Sequence, residues 1–414
     1  MAETHHLPAI DPREISIPQD HALARLPLLA GGVGAVFLII SFAIGLAGDS
    51  QQLWYSYLVA CLFFISLGLG CMFFVLATLA SRAGWSVAVR RLAEHGMATL
   101  PVLGLLMLPL LFLGLHDLYH WTHEEAVAAD PLLQSKSGYL NESFFLIRSI
   151  FYLLAWTLIA WWFRKESMRQ DEAGDPAITR KLQSRSAPAL IVFGVTLTFA
   201  AFDWIMSLDP HWYSTIFGVY FFAGCFLGAL ALMVLKLIRL QARGLLQSVV
   251  TYEHFHDIGK LLFGFVVFWA YIAFSQFMLI WYGSIPEETL WYEHRWTHGW
   301  QPVSIFMAVG HFALPFFFLL PVSVKRRKST LSLAAVWLLL VHYIDLYWLV
   351  MPSRTEVVDG VTQAMGFHPH LLDLTCLLGV AGVFLGTLGY LMKSPKLVPV
   401  RDPRLAESLS YENI

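Results

Sequence analysis

Ten stretches of mostly apolar residues recur along this chain, at about 26–47, 53–80, 97–116, 143–163, 187–206, 212–240, 259–283, 301–321, 331–350 and 370–392. A helix rises 1.5 Å per residue, so about 20 residues cross a hydrocarbon core roughly 30 Å thick. Each stretch reaches that length. The pattern therefore predicts an all-α polytopic membrane protein with about ten transmembrane helices, a tail over 1–25 and another over 393–414. The first 25 residues, MAETHHLPAIDPREISIPQDHALAR, contain three prolines and no apolar core, and read as a tail rather than a signal peptide.

The polar connections are not equivalent. The N-terminal tail, the connections after the second, fourth, sixth and eighth stretches and the C-terminal tail hold 23 of the 27 Lys and Arg. The opposite connections hold Lys136, Arg295 and Arg354, and Arg148 falls inside a stretch. Cytoplasmic loops retain Lys and Arg, so both termini are expected in the cytoplasm and the helix count is even. The multi-pass inner (cytoplasmic) membrane of a bacterium is the expected location.

Composition adds exclusions. The charged fraction is 14%, about half that of an ordinary soluble domain, and the net charge of −2 gives no reason to expect nucleic acid. Cys61, Cys71, Cys225 and Cys376 all sit in apolar stretches without Cys-x-x-Cys spacing, so this chain alone is not expected to hold an iron–sulfur cluster or c-type haem. A b-type haem needs two facing histidines, and only His311 and His342 lie mid-stretch. No Walker loop, nucleophile elbow or HExxH is present, and no histidine group has firm metal-ligand spacing. No catalytic residue is assigned. The inner stretch ESMRQDEAGDPAITRKLQSRS reads as a solvated loop, and the C-terminal tail as a loose segment or one lying along a partner. Gly224–Gly228 and Gly382–Gly386 are small-xxx-small pairs suited to close helix contact. Pro101, Pro109 and Pro315 are expected to kink their helices.

Ionisable groups inside a membrane are costly, so each needs a partner, water or a role. Arg148 and Asp203 lie at similar depth in the outer half and suit an ion pair. His342 and Asp345 are three apart, hence on one helix face. His311 lies mid-stretch as a core histidine or a relay, and Gln276 adds a neutral polar group. At the inner mouth, TYEHFHDIGK brings Glu253, His256, Asp257 and Lys260 together. At the outer surface His116, Asp117 and Asp209 join Arg148 and Asp203 as a candidate quinol or partner region. Two uses compete with structural pairing: a proton path through Glu253, His256, Asp257, Lys260, Gln276, His311, His342, Asp345 and Asp203, and ligand binding at the outer group. Gaps between the path residues are about 10–16 Å by helical rise, so waters must bridge them. A secondary transporter with midplane polar groups is the rival of another class.

The segment FDWIMSLDPHWYSTIFGVYFFAG together with HDIGKLLFGFVVFWAYIAFSQFMLIWYGSIPEE resembles the smaller NrfD-type (PsrC-like) integral membrane subunit, ActF, of bacterial alternative complex III, and the resemblance runs from about residue 20 to 392. It implies a quinol:cytochrome c or quinol:electron acceptor oxidoreductase, in which this subunit is not catalytic alone. It also implies two four-helix bundles (helices 2–5, about 53–206, and helices 6–9, about 212–350) flanked by helices 1 and 10. The implied partners are the lipid bilayer, a paralogous larger NrfD-type subunit, an iron–sulfur subunit, c-type haem subunits, small membrane subunits and a terminal oxidase. Iron–sulfur clusters and haem c would reside in those partners. The quinol, menaquinol or ubiquinol, would sit in related subunits at the outer end of the first bundle, the region of His116, Asp117, Arg148, Asp203 and Asp209.

Overall fold

The computed structural model describes residues 10–358, 361–393 and 396–413. Ten helices among them are long and apolar enough to cross a membrane: span 1 (Ala22–Ala47), span 2 (Ser50–Ala80), span 3 (Gly84–Leu113), span 4 (Glu142–Ala173), span 5 (Pro176–Leu208), span 6 (Phe217–Gln241), span 7 (Tyr252–Gly283), span 8 (Gln301–Leu319), span 9 (Lys328–Ser353) and span 10 (Leu371–Lys393). The protein is a polytopic helical membrane protein. Residues 1–9 of the expected N-terminal tail lie outside the described residues.

Side-chain chemistry starts and stops these helices. Asp49, Asn141 and Asp175 each accept from a free backbone N–H at the start of spans 2, 4 and 5, at 2.8–3.0 Å. Gly174 ends span 4 in the left-handed region at φ +66°, where a side chain would be strained. The turn between spans 4 and 5 is therefore two residues long, and the stretch expected as a solvated inner loop is instead the helical ends of both spans. An antiparallel hairpin, β1 (Thr355–Val358) and β2 (Val361–Ala364), follows span 9 in the otherwise helical chain.

Spans 2–5 close one ring of contacts and spans 6–9 a second, joined where spans 2 and 6 pack together. Both joining helices are buried along most of their length, whereas span 1 packs chiefly on span 10. Glycine sets that last contact. A Cβ on Gly34 would lie 2.6 Å from the Val383 nitrogen, and one on Gly382 2.4 Å from the Gly34 Cα. Only backbone against backbone fits, as small-residue packing in lipid requires.

Spans 3 and 8 are broken. Span 3 divides at Ala98–Thr99, between helices Val87–Met97 and Leu100–Leu113. Its inner half was expected among loop charges, yet Arg90, Arg91, Glu94 and His95 are all buried. Arg90 pairs with Asp402 at 2.5 Å, Arg91 with Asp171 at 2.6 Å, and both with Glu94 at 3.1–3.3 Å. Asp402 lies in the C-terminal tail, which is not loose: Leu397, Val398 and Leu405 are buried, and the Ser408 hydroxyl donates to the Trp85 carbonyl at 2.6 Å. Span 8 widens to a π-helix over Met307–Ala313. In that register the Gly310 carbonyl would take the N–H of residue 315, which is proline and has none. The indole of Trp337 donates to it instead at 2.7 Å, so the break carries no unsatisfied carbonyl there.

Candidate functional site

Two buried carboxylates in the half of the bundles expected to face outward have opposite surroundings. In the first bundle, Asp203 meets Arg148 in a forked pair: Nε donates to Oδ2 and an Nη to Oδ1, both at 2.9 Å. The Tyr152 hydroxyl adds a third bond to Asp203 at 2.8 Å. The other Arg148 Nη donates to the Tyr139 carbonyl at 2.9 Å, and the guanidinium lies 3.8 Å from the Tyr139 ring centre. Charge and hydrogen bonds are both satisfied, which is the arrangement of a structural clamp between spans 4 and 5.

In the second bundle, Asp345 is 2% exposed and has no cation within ion-pair distance among the described residues. Its Oδ1 accepts from the Tyr220 hydroxyl at 2.5 Å and its Oδ2 from the Trp269 indole at 3.1 Å. Both donors are neutral. A carboxyl group so placed can be held with or without its proton, because no counter-charge is stranded when it protonates. His311 stacks on Trp269, with ring centres 3.7 Å apart, and neither His311 nitrogen has a partner among the described residues. His342 lies one turn along span 9 from Asp345, as the three-residue spacing predicted. Its Nε2 is 2.8 Å from the Ser66 hydroxyl, while its Nδ1 has no partner among the described residues. The pair Gly224 and Gly228 makes room for this ring: a Cβ on either would come within 2.8–2.9 Å of it. The expected glycine contact is thus a bed for a polar side chain.

The inner-mouth residues form one connected group. Glu253 accepts from Arg326 at 3.1 Å and from Asn413 at 2.9 Å, and His256 Nδ1 is 3.9 Å from it. Lys260 pairs with Asp257 at 2.5 Å and donates to Asn413 at 2.6 Å. From Lys260 to Trp269 span 7 rises about 14 Å without a titratable side chain of its own. Gln276 lies beyond Trp269 on the outer side, accepting from Ser214 at 2.9 Å and donating to Tyr292 at 3.2 Å. It is therefore not a link between the inner mouth and Asp345.

The outer group is split. His116 is exposed, 3.4 Å from Glu142, and Asp117 accepts from Ser50 at 3.3 Å. Asp209 accepts the His211 backbone N–H at 3.3 Å. Among the described residues no hydrogen bond joins these three to Arg148 or Asp203.

No family model matches the chain, and no curated protein matches it.

Sequence reasoning passed over a third polar knot. Asp373 at the head of span 10 accepts from Ser56 at 2.5 Å, Gln52 at 3.0 Å and Tyr347 at 3.1 Å. Arg354 binds Gln52 and, at 2.5 Å, Asp49. This knot ties spans 2, 9 and 10 at their outer ends. A first-turn acid on an apolar helix was its one legible signal; Gln52 and Ser56, one turn apart, were not distinguishable from packing residues. Among the described residues no three His, Cys, Asp or Glu side chains converge as a metal site.

Proposed function

We propose that this chain is a proton-handling and assembly subunit of a quinol-oxidising membrane complex of the alternative complex III type, set in a bacterial inner membrane. The observation that carries the reading is Asp345, a membrane-buried carboxyl held by two neutral donors, with His311 and His342 beside it. Groups in hydrocarbon without a counter-charge are expected where protons move. The inner group of Glu253, His256, Asp257 and Lys260 would collect protons, and water would bridge the roughly 14 Å to Trp269. Electrons would pass through haem c and iron–sulfur clusters of partner subunits. With those redox centres in the partners, coupling to this chain would be conformational. The resemblance in FDWIMSLDPHWY and HDIGKLLFGF supplies the redox partner class.

The test replaces Asp345 by Asn in the whole complex. The expected result is a complex that assembles and oxidises quinol with fewer protons moved per electron in vesicles. An unchanged ratio removes Asp345 from the path. Purification of the chain without haem or iron–sulfur subunits would instead favour a stand-alone transporter.

A further inference from the structure

A cavity of about 1020 Å³ opens between spans 7 and 8, at the upper end of small-molecule sites. Tyr271 and Phe274 of span 7 face Ala308 and Val309 of span 8 across it, with Trp269 at its inner end and Trp296 at its outer rim. Tyr271, Phe274 and Val309 are 64%, 61% and 46% exposed, so the slot opens sideways, toward lipid. Along span 7 it runs from Val267 to Phe277, about 15 Å, the depth of one leaflet. The π-helix of span 8 forms part of its wall, as such widenings often do at binding sites.

Two polar groups at the outer end of the slot, Tyr292 and Arg295, keep unused donors. Ser214 donates to Gln276, Gln276 donates to Tyr292, and the Tyr292 hydroxyl hydrogen meets no acceptor among the described residues. Arg295 is 2% exposed and has no carboxylate within ion-pair distance among the described residues. Its Nε and both Nη atoms donate to the carbonyls of Trp348, Trp291 and Leu349 at 2.8–3.2 Å, and the Trp291 ring centre lies 3.4 Å from the guanidinium. A guanidinium carries five N–H donors, so two remain. Burial lowers the proton affinity of this group, and the Asp209 carboxylate, beyond ion-pair distance, offsets that only in part. Glu293, also on the slot, is exposed at the rim and solvated. The polar edge therefore offers donors and a buried cation with no carboxylate at ion-pair distance among the described residues, above an apolar slot.

We propose that the slot binds one anionic glycerophospholipid of the outer leaflet. An acyl chain lies between spans 7 and 8, an ester carbonyl accepts from Tyr292, and the phosphate sits by Arg295. The buried cation favours this occupant over a neutral lipid or a quinone, and the inference stands apart from the redox role proposed above.

The experiment reconstitutes the purified complex in nanodiscs of equal dioleoylphosphatidylglycerol and dioleoylphosphatidylcholine with a little ubiquinone-10. After re-extraction in detergent, retained lipids are counted by mass spectrometry. The expected result is about one phosphatidylglycerol held per chain above the level in Ala308→Trp, which fills the slot from an exposed position and leaves the core alone. Arg295→Gln should lower the preference for phosphatidylglycerol over phosphatidylcholine by about tenfold, through loss of a charge-assisted bond. Equal retention in the wild type and Ala308→Trp overturns the site. Equal retention of the two phospholipids by the wild type, or ubiquinone in their place, overturns the assignment of its occupant.

Discussion

Replacing Arg148 by Met would strand Asp203 in the first bundle, and the size of the effect follows from its contacts. At 2.9 Å and an effective dielectric of about 20, the pair's attraction is about 6 kcal/mol, set against the cost of removing both ions from water. The single replacement removes the attraction and keeps the buried carboxylate, which costs about 3–5 kcal/mol. Tyr152 keeps its bond to Asp203 and supplies only a neutral partner. Adding Asp203→Leu removes the stranded charge, leaving the Tyr152 hydroxyl and Tyr139 carbonyl to lose one bond each, about 1–3 kcal/mol apiece at most. The double variant should therefore be more stable than Arg148→Met alone. Unfolding in mixed dodecylmaltoside–SDS micelles, followed by tryptophan fluorescence, measures the order. A single variant within about 1 kcal/mol of wild type, or a double variant less stable than the single, would refute the clamp.

Trp337→Phe should destabilise span 8 by about 1–3 kcal/mol by leaving the Gly310 carbonyl bare, with faster hydrogen exchange confined to 307–319. Gly382→Leu should push span 1 from span 10, and cysteine cross-linking between the two spans should fall while the rest of the protein resists SDS as before. In the outer loop, the His211 ring 2.5 Å away holds the Asp130 carboxyl below its ordinary 3.8. Its contribution to loop order is thus complete above pH 3.8 and lost as pH falls through the lower folded value, so hydrogen exchange over 124–136 should rise there in wild type and change little in Asp130→Asn.

The spans were legible because hydropathy over 20 residues is a one-dimensional signal, whereas their grouping into two rings was expected only from the resemblance. Buried charge was not. Arg90, Arg91 and Glu94 carry the spacing of helix-face pairs, yet in a count of charges per connection they are indistinguishable from solvated ones. Their burial depends on Asp171 and Asp402, some 80 and 310 residues away in sequence. The same limit applied to the site. His342 and Asp345 declared a shared face through their spacing, and Arg148 and Asp203 their pairing through depth. That one carboxylate is paired with a cation and the other is not depends on Tyr220, Trp269 and the lack of an arginine at ion-pair distance among the described residues, which no local pattern encodes.

The close crossing of spans 1 and 10 bears on how the protein is made. Translation runs at about 5–20 residues per second, so the 345 residues between Leu26 and Leu371 take on the order of 20–70 s. Throughout that interval span 1 can lean only on its lesser neighbour, span 2, with its glycine face turned to lipid or to a chaperone. The last helix to arrive supplies the partner of the first. A chain without span 10 would therefore carry an unmatched glycine face on span 1.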